Sequence, residues 1–270
     1  MVKTPFILRW FLRLLVVAYL VLLVAWPVSL VVRNTFADGF DALAHTFSDP
    51  YVVHALKLTA IVAVVSVVIN TVFGVTMSLL LVRNTFRGRR ILSVLLDIPM
   101  SVSPVVVGLA LVLVYSPTQG WFGPTLANWG LQVVFSTPGI VMATVFVALP
   151  LVIREVVPTL QEVGDEQEWA ARSLGANSFQ TFTRITLPSI RWAVIYGVVL
   201  SLARSLGEYG AVKVVSGNIV GKTQTATLIV EERYQNFDQP TAYATAFLLA
   251  SAAVACLVVV ALLRPKHTAS

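Results

Sequence analysis

The apolar residues of this chain fall in runs too long for a soluble core, with the polar residues gathered between them. After Lys3, Arg9 and Arg13, the stretch Leu14–Val32 holds 19 uncharged residues, close to the roughly 20 apolar residues a helix needs to cross a bilayer. It is longer than the apolar core of a cleaved signal peptide and lacks a small-residue cleavage site, so it predicts a retained first span, with Pro27 as a kink. Leu58–Val82, 25 uncharged residues, predicts a second span long enough to tilt. The third run, Ile91–Tyr115, is interrupted by Asp97, Pro99, Ser101, Ser103 and Pro104. A broken helix at membrane depth is tolerated only where it packs in protein or lines an aqueous cavity. Ser116–Thr137 carries no charge, and its Trp121, Phe122 and Trp129 suit a membrane interface. A fourth span is expected over Val133–Ile153, a fifth from near Trp192 and including Arg204, and a sixth over Thr241–Leu263. Glu208–Pro240 reads as a mixed polar loop.

Composition agrees. Of 270 residues, 57% are hydrophobic and 12% charged, against about 25% charged in soluble domains; mean hydropathy is +0.83. The chain therefore reads as an all-α polytopic membrane protein with six transmembrane helices. No linker or low-complexity segment divides it, so residues 1–270 form a single transmembrane domain. The net charge of +6 does not point to nucleic acid, because the basic residues cluster at the ends of apolar runs, as topology determinants do. With both termini inside, the inside segments hold thirteen Lys and Arg and the outside loops five, which places both termini and the loop 154–191 in the cytoplasm.

That loop is the longest charged segment. Within it, Asp165 and Glu168 have the spacing of a capping box. Ala170, Ala171 and Leu174 form a short apolar stripe, and Gly175 is a helix stop. A second helical piece, Ser178–Thr186, is expected to end at Leu187-Pro188.

Nothing in the chain forms a catalytic constellation. His45, His54 and His267 are scattered and make no metal cluster, and Cys256 lies alone in an apolar run. Gly217–Thr223, GNIVGKT, has three residues between its glycines where a phosphate loop has four, and reads as a flexible turn. Arg204 and Glu208 share a helix face. They form either a pathway-lining pair that meets an anion or gate, or a self-neutralising pair that locks helix packing. Asp97 reads as a residue of the cytoplasmic membrane edge. Ser101, Ser103, Tyr209, Ser216 and Asn218 are neutral donors that could hold a desolvated oxyanion or merely join helices.

Glu168–Pro188 resembles the EAA loop of ABC importer permeases, the inner membrane components of binding-protein-dependent transport systems. The matching residues are Ala170, Ala171, Gly175 and, with nine residues between, Ile185-x-Leu187-Pro188. The family's usual Glu position holds Trp169, with Glu168 displaced by one. Ser205–Asn218, Asp97–Gly108 and Gly120–Gly123 look similar to sulfate and molybdate permeases, and 215–238 looks similar to the W-type branch of the sulfate/thiosulfate group.

The resemblance implies a type I importer permease whose loop docks on a partner ATPase through Glu168, Trp169, Ala170, Ala171, Gly175, Ile185, Leu187 and Pro188. It further implies a heterodimer with a T-type permease, two ATP-binding subunits and an external sulfate-binding protein. On this reading the chain binds no cofactor, has no ATPase site of its own and sits in the plasma membrane, while ATP is used by its partners. The nearest alternative is a molybdate or tungstate permease. An ion-coupled secondary transporter would call for internal repeats and midplane carboxylates, and a membrane-bound enzyme for a catalytic cluster.

Overall fold

The computed structural model describes residues 6–37 and 39–263. Lys3, Asp38, His267 and the basic pair Arg264 and Lys266 lie outside the described residues. The first apolar run forms one rod, α1 (Phe6–Leu20), a π-helical turn (Val21–Ala25) and α2 (Trp26–Thr35). After α3 (Asp41–Ser48) comes α4 (Pro50–Arg83). Asp49 caps α4 through Oδ1, which accepts from the Tyr51 N–H at 2.8 Å, and Pro50 begins the helix where its missing N–H costs nothing.

The interrupted third run is two helices, α5 (Arg89–Ser101) and α6 (Pro104–Tyr115), bent by 109°. Pro104 lacks a donor and restricts Ser103 to extended backbone, so the helix breaks there. A short α7 (Gly123–Asn128) precedes α8 (Thr137–Val163). α8 runs ten residues past the expected end of the fourth span, carrying Arg154 and Glu155 on the helix. Next come α9 (Glu166–Ser173), α10 (Ser178–Thr181), a second π turn (Phe182–Thr186) and α11 (Leu187–Leu206). α12 (Gly210–Ser216), α13 (Ala226–Gln235) and α14 (Gln239–Leu263) complete the described chain. Among the described residues, five helices are long and apolar enough to cross a membrane, or six when the bent pair counts as one span.

One sequence expectation fails: the helical piece at 178–186 does not end at Leu187-Pro188. At this proline and at Pro27 alike, the residue before the proline bonds five residues back, Leu187 N–H to Phe182 O and Trp26 N–H to Val21 O. One wide turn thus absorbs the donor that proline lacks, and the helix continues. The helix that carries the fifth apolar run therefore starts at Ser178, ahead of Trp192.

α4, α8 and α11 form the centre. Val75, Val152, Val156, Leu160 and Ile190 pack in one cluster, and Leu58, Val62, Ile140, Val212 and Leu228 in another. At the closest approach, Gly74 of α4 and Gly197 of α11 both face Val152. A Cβ on Gly74 would lie 2.8 Å from Val152 Cβ, and one on Gly197 would lie 2.9 Å from Val152 Cα. Small residues let membrane helices touch backbone to backbone. α14 closes the outer side against α13 and α2, with Phe36 and Phe247 edge to face at 5.3 Å.

Gly197→Ala should lower stability by about 1–3 kcal/mol, because the Val152 backbone cannot yield. Gly207→Ala, whose Cβ would meet only Ala203 O at 3.8 Å, should be close to neutral. Thermal unfolding of the purified protein in detergent checks both.

Candidate functional site

Two places bring chemistry-bearing residues together. The first is the 154–191 segment. Glu168 is not part of a capping box. Asp165 makes no cap bond, and its Oδ2 accepts from Trp169 Nε1 at 3.0 Å. Glu168 is buried and turned inward. Its Oε1 accepts from Arg83 Nε at 3.2 Å, Arg83 Nη2 at 3.1 Å and Thr186 Oγ1 at 2.9 Å. Arg83 also donates to Leu160 O at 3.2 Å and Gly164 O at 2.6 Å, so it caps the end of α8. The capping box of this region lies one element later, where the Asn177 side chain and Gln180 bond reciprocally.

Gly175 has φ +87°, and the bonds Ala176 N–H to Ala171 O and Gly175 N–H to Arg172 O close α9 as a Schellman motif. With Glu168 pinned inside, the opposite face of α9 turns out. Trp169 is 61% exposed, Leu174 89% and Phe179 75%. Ala170 is exposed and Ala171 half-buried, so the stripe read from sequence faces away from the protein rather than into it. Ile185 and Leu187 are half-buried in the π turn and helix that follow, and Pro188 is exposed. Of the eight residues named for this segment, Glu168 is the one that is buried, and it ties α9 to Arg83 and Thr186. Arg83, Thr186 and Phe179 were missed. Arg83 reads in the sequence only as a basic residue closing a span, and nothing in the spacing ties it to position 168.

The second place is where α11 gives way to α12. Gly207, Glu208 and Tyr209 lie outside either helix, and their polar groups are met locally. Glu208 Oε1 accepts from the Ala211 N–H at 3.0 Å, and Thr227 Oγ1 donates to Glu208 O at 2.9 Å. Arg204 Nη1 lies 2.8 Å from Glu208 Oε2. Glu208 is buried while Arg204 keeps 38% of its side chain exposed, so the carboxylate locks the break and the guanidinium reaches outward. Lys213, missed from sequence, donates to Tyr209 OH at 2.7 Å and pairs with Glu231. Those two bonds, Glu231 first, raise the Lys213 pKa, and the Lys213 hydrogen bond lowers that of Glu231.

The other candidates separate. Pro104, just after the exposed Ser103, would lie 3.2 Å from a Cβ on Gly210, so the α5–α6 bend abuts this break; Ser101 is exposed at the end of α5. Ser216 is buried at the far end of α12, where its Oγ accepts from the Asn218 N–H at 3.1 Å. Asn218, exposed with φ 51°, belongs to the same turn.

Glu208–Pro240 is therefore not a polar loop but a pair of packed helices. GNIVGKT is an ordered turn, fixed by Thr223 Oγ1 donating to Ser216 O at 2.6 Å and accepting from the Ile219 N–H at 3.1 Å. The buried Gln224 bonds Glu232. The missed signal was the apolar spacing of Ala211, Val212 and Val215, which fills the space beside α6 and α8. Asp97 pairs with Arg154 at 3.0 Å, both half-exposed. Among the described residues no group of His, Cys, Asp and Glu could hold a metal.

Residues 70–267 match the family model for the inner membrane component of binding-protein-dependent transport systems. The chain belongs to that family. It is 45% identical over 97% of its length to the sulfate transport system permease protein CysW of Synechocystis, covering 94% of that protein. It is 37% identical over 88% of its length to CysT of Escherichia coli, covering 86% of that one. Among solved structures, it superposes on a chain of a bacterial alginate ABC transporter in complex with its alginate-loaded periplasmic protein, with a TM-score of 0.76, 19% identity and coverage of 94% and 92%. That likeness bears out the importer permease fold. The membership places the 154–191 segment and the α11–α12 break within a transport component of the inner membrane.

Glu168→Ala should leave buried Arg83 and Thr186 donors unanswered and cost about 1–3 kcal/mol. Trypsin should then cut faster at Arg172 and Arg184, which limited proteolysis of membrane vesicles measures.

Proposed function

We propose that this chain is one of two membrane subunits of an ATP-driven importer that carries sulfate, and thiosulfate with it, from an external binding protein to the cytoplasm. The carrying observation is the exposure of Trp169 on α9, Leu174 at its C-terminal cap and Phe179 on the following α10, beside a helix held from behind by the buried Glu168–Arg83 pair. Three large apolar side chains left exposed along one short anchored segment have the form of a docking surface. Its partner is one of two ATP-binding subunits, which bind the nucleotide that this chain does not. The count of basic residues supports a cytoplasmic placement for that face and for both termini. The sulfate permeases among the relatives support the anion, and the pairing of CysW and CysT types supports a heterodimer with a T-type permease.

ATP-driven closure of the ATPases would move α9, and with it the α10–α11 rod that ends at the Arg204–Glu208 break. Neutral donors and half-compensated cations suit an oxyanion in transit, because a site that passes its ligand on cannot hold it with uncompensated charge.

Reconstituted with the other three kinds of subunit, the chain should support ATP-dependent uptake of labelled sulfate. Uptake that persists without the ATPases would overturn the reading, and uptake of molybdate without sulfate would reassign the anion. Trp169→Ala should lower sulfate uptake at least tenfold and weaken copurification of the ATPase, while the melting temperature of the permease stays unchanged. Gly175→Trp should insert normally and hydrolyse ATP without transport.

A further inference from the structure

Among the described residues, the buried side-chain atoms with no protein hydrogen-bond partner are not scattered. They are Ser66 Oγ, Asn70 Nδ2 and Oδ1, Ser201 Oγ, Ser205 Oγ and Glu208 Oε2, which has only its ion pair with Arg204. They occupy one face of α4, one face of α11 and the residue two places beyond the end of α11. The register of the packing brings those faces to the same depth. Val62 shares a cluster with Ile140, and Gly74 meets Val152, so α4 and α8 run parallel in step. Gly197 meets Val152 and Ile190 packs with Val156 and Leu160, so α11 runs antiparallel to both. One turn above the glycine contact lie Asn70, Ala148 and Ser201. The next turn holds Ser66, Thr144 and Ser205, and Glu208 follows.

Other hydroxyls on these helices close on their own backbone. Thr59 donates to Ala55 O at 2.8 Å, Ser78 to Gly74 O at 2.7 Å and Thr144 to Ile140 O at 2.9 Å. Ser66, Ser201 and Ser205 do not. A buried polar atom away from water is costly unless it is met, and small polar cavities that present several such atoms take up ordered water.

We propose that the seam between α4 and α11 is an internal hydration site, a blind file of ordered water running from Glu208 down to Asn70. The donors settle the ligand class. Asn70 offers two N–H donors beside its acceptor, and each serine offers both. Water answers both kinds, whereas a metal cation would face the amide hydrogens. The file ends where Gly74, Val152 and Gly197 close the helices together without polar groups. Below that level α4, α8 and α11 are locked by contact. Above it they are joined through exchangeable water, which leaves the outer end of α11 free to shift at little cost.

The test is pulsed hydroxyl-radical labelling of this chain purified in lipid nanodiscs, where radicals form from water at the site. It needs neither sulfate nor partner subunits, so its outcome is independent of the transport reading. Segments 63–70 and 199–203 should label at least tenfold faster than 147–153, which spans the dry level and leaves out the half-exposed Arg154. Asn70→Leu should suppress labelling of both by at least fivefold. Should that variant fail to fold, Ser201→Ala should suppress labelling of 199–203. Equal labelling of the seam and the dry level in the wild-type protein would overturn the proposal, as would unchanged labelling in the variants.

Discussion

Arg83 is the group on which the 154–191 end of the structure depends. It ends α4, and its guanidinium meets two backbone carbonyls at the end of α8 and the carboxylate of Glu168 on α9. Glu168 in turn takes the Thr186 hydroxyl at the π turn that leads into α11. Only a planar fork with five donors can join partners in such different directions, so Lys would not serve. A buried ion pair gains little over an apolar contact, yet removal of one partner strands the other. Its contribution here is positional. By fixing the inner face of α9, it decides which residues the helix leaves exposed.

A second constraint shapes the rest. No water reaches the bilayer core, so each interruption of a helix must find partners for its freed backbone groups. Two prolines are absorbed by single π turns. At the α11–α12 break, the Glu208 carboxylate meets the Ala211 N–H and Thr227 meets the Glu208 carbonyl. An ionised group within an apolar bundle is expensive, and Glu208 offsets that cost by pairing with Arg204 and capping α12 at once. The two members of the pair are placed differently: the Glu208 side chain is buried, and Arg204 keeps 38% of its side chain exposed.

Much of this was legible in the sequence, for identifiable reasons. Apolar runs give span number because a bilayer sets length, and Gly175 gives a helix end because a left-handed residue favours glycine. Helix extents were less legible. The rule that proline ends helices misplaced the end of the helical piece at 178–186, because a π turn leaves no local mark. Polarity suggested a loop at 208–240, where the chain instead buries Thr223 and Gln224 through side-chain bonds to Ser216 and Glu232 of the same segment. At the 154–191 segment, spacing found the helix but not its orientation. Glu168 fits a capping box on spacing alone, and only the arrival of Arg83, 85 positions away in sequence, turns it inward. Lys213, Glu231 and the Asn70 seam were invisible for the same reason, since each depends on which helix faces which.

The fold joins its two candidate sites mechanically. α10, the π turn and α11 make one 29-residue rod, Ser178–Leu206, about 43 Å long at 1.5 Å per residue. One end is tied to α9 through Thr186 and Glu168, and the other stops at Glu208. Gly197 sits between them, pressed on Val152 with no side chain to interlock. The rod is therefore held at two levels by different means, a hydrogen bond to a buried carboxylate at one end and backbone contact near its middle. The π turn at Phe182–Thr186 lies on the α9 side of the glycine contact, and there its last residue meets the carboxylate that Arg83 holds in place, so one arginine fixes α8, α9 and the start of α11 together.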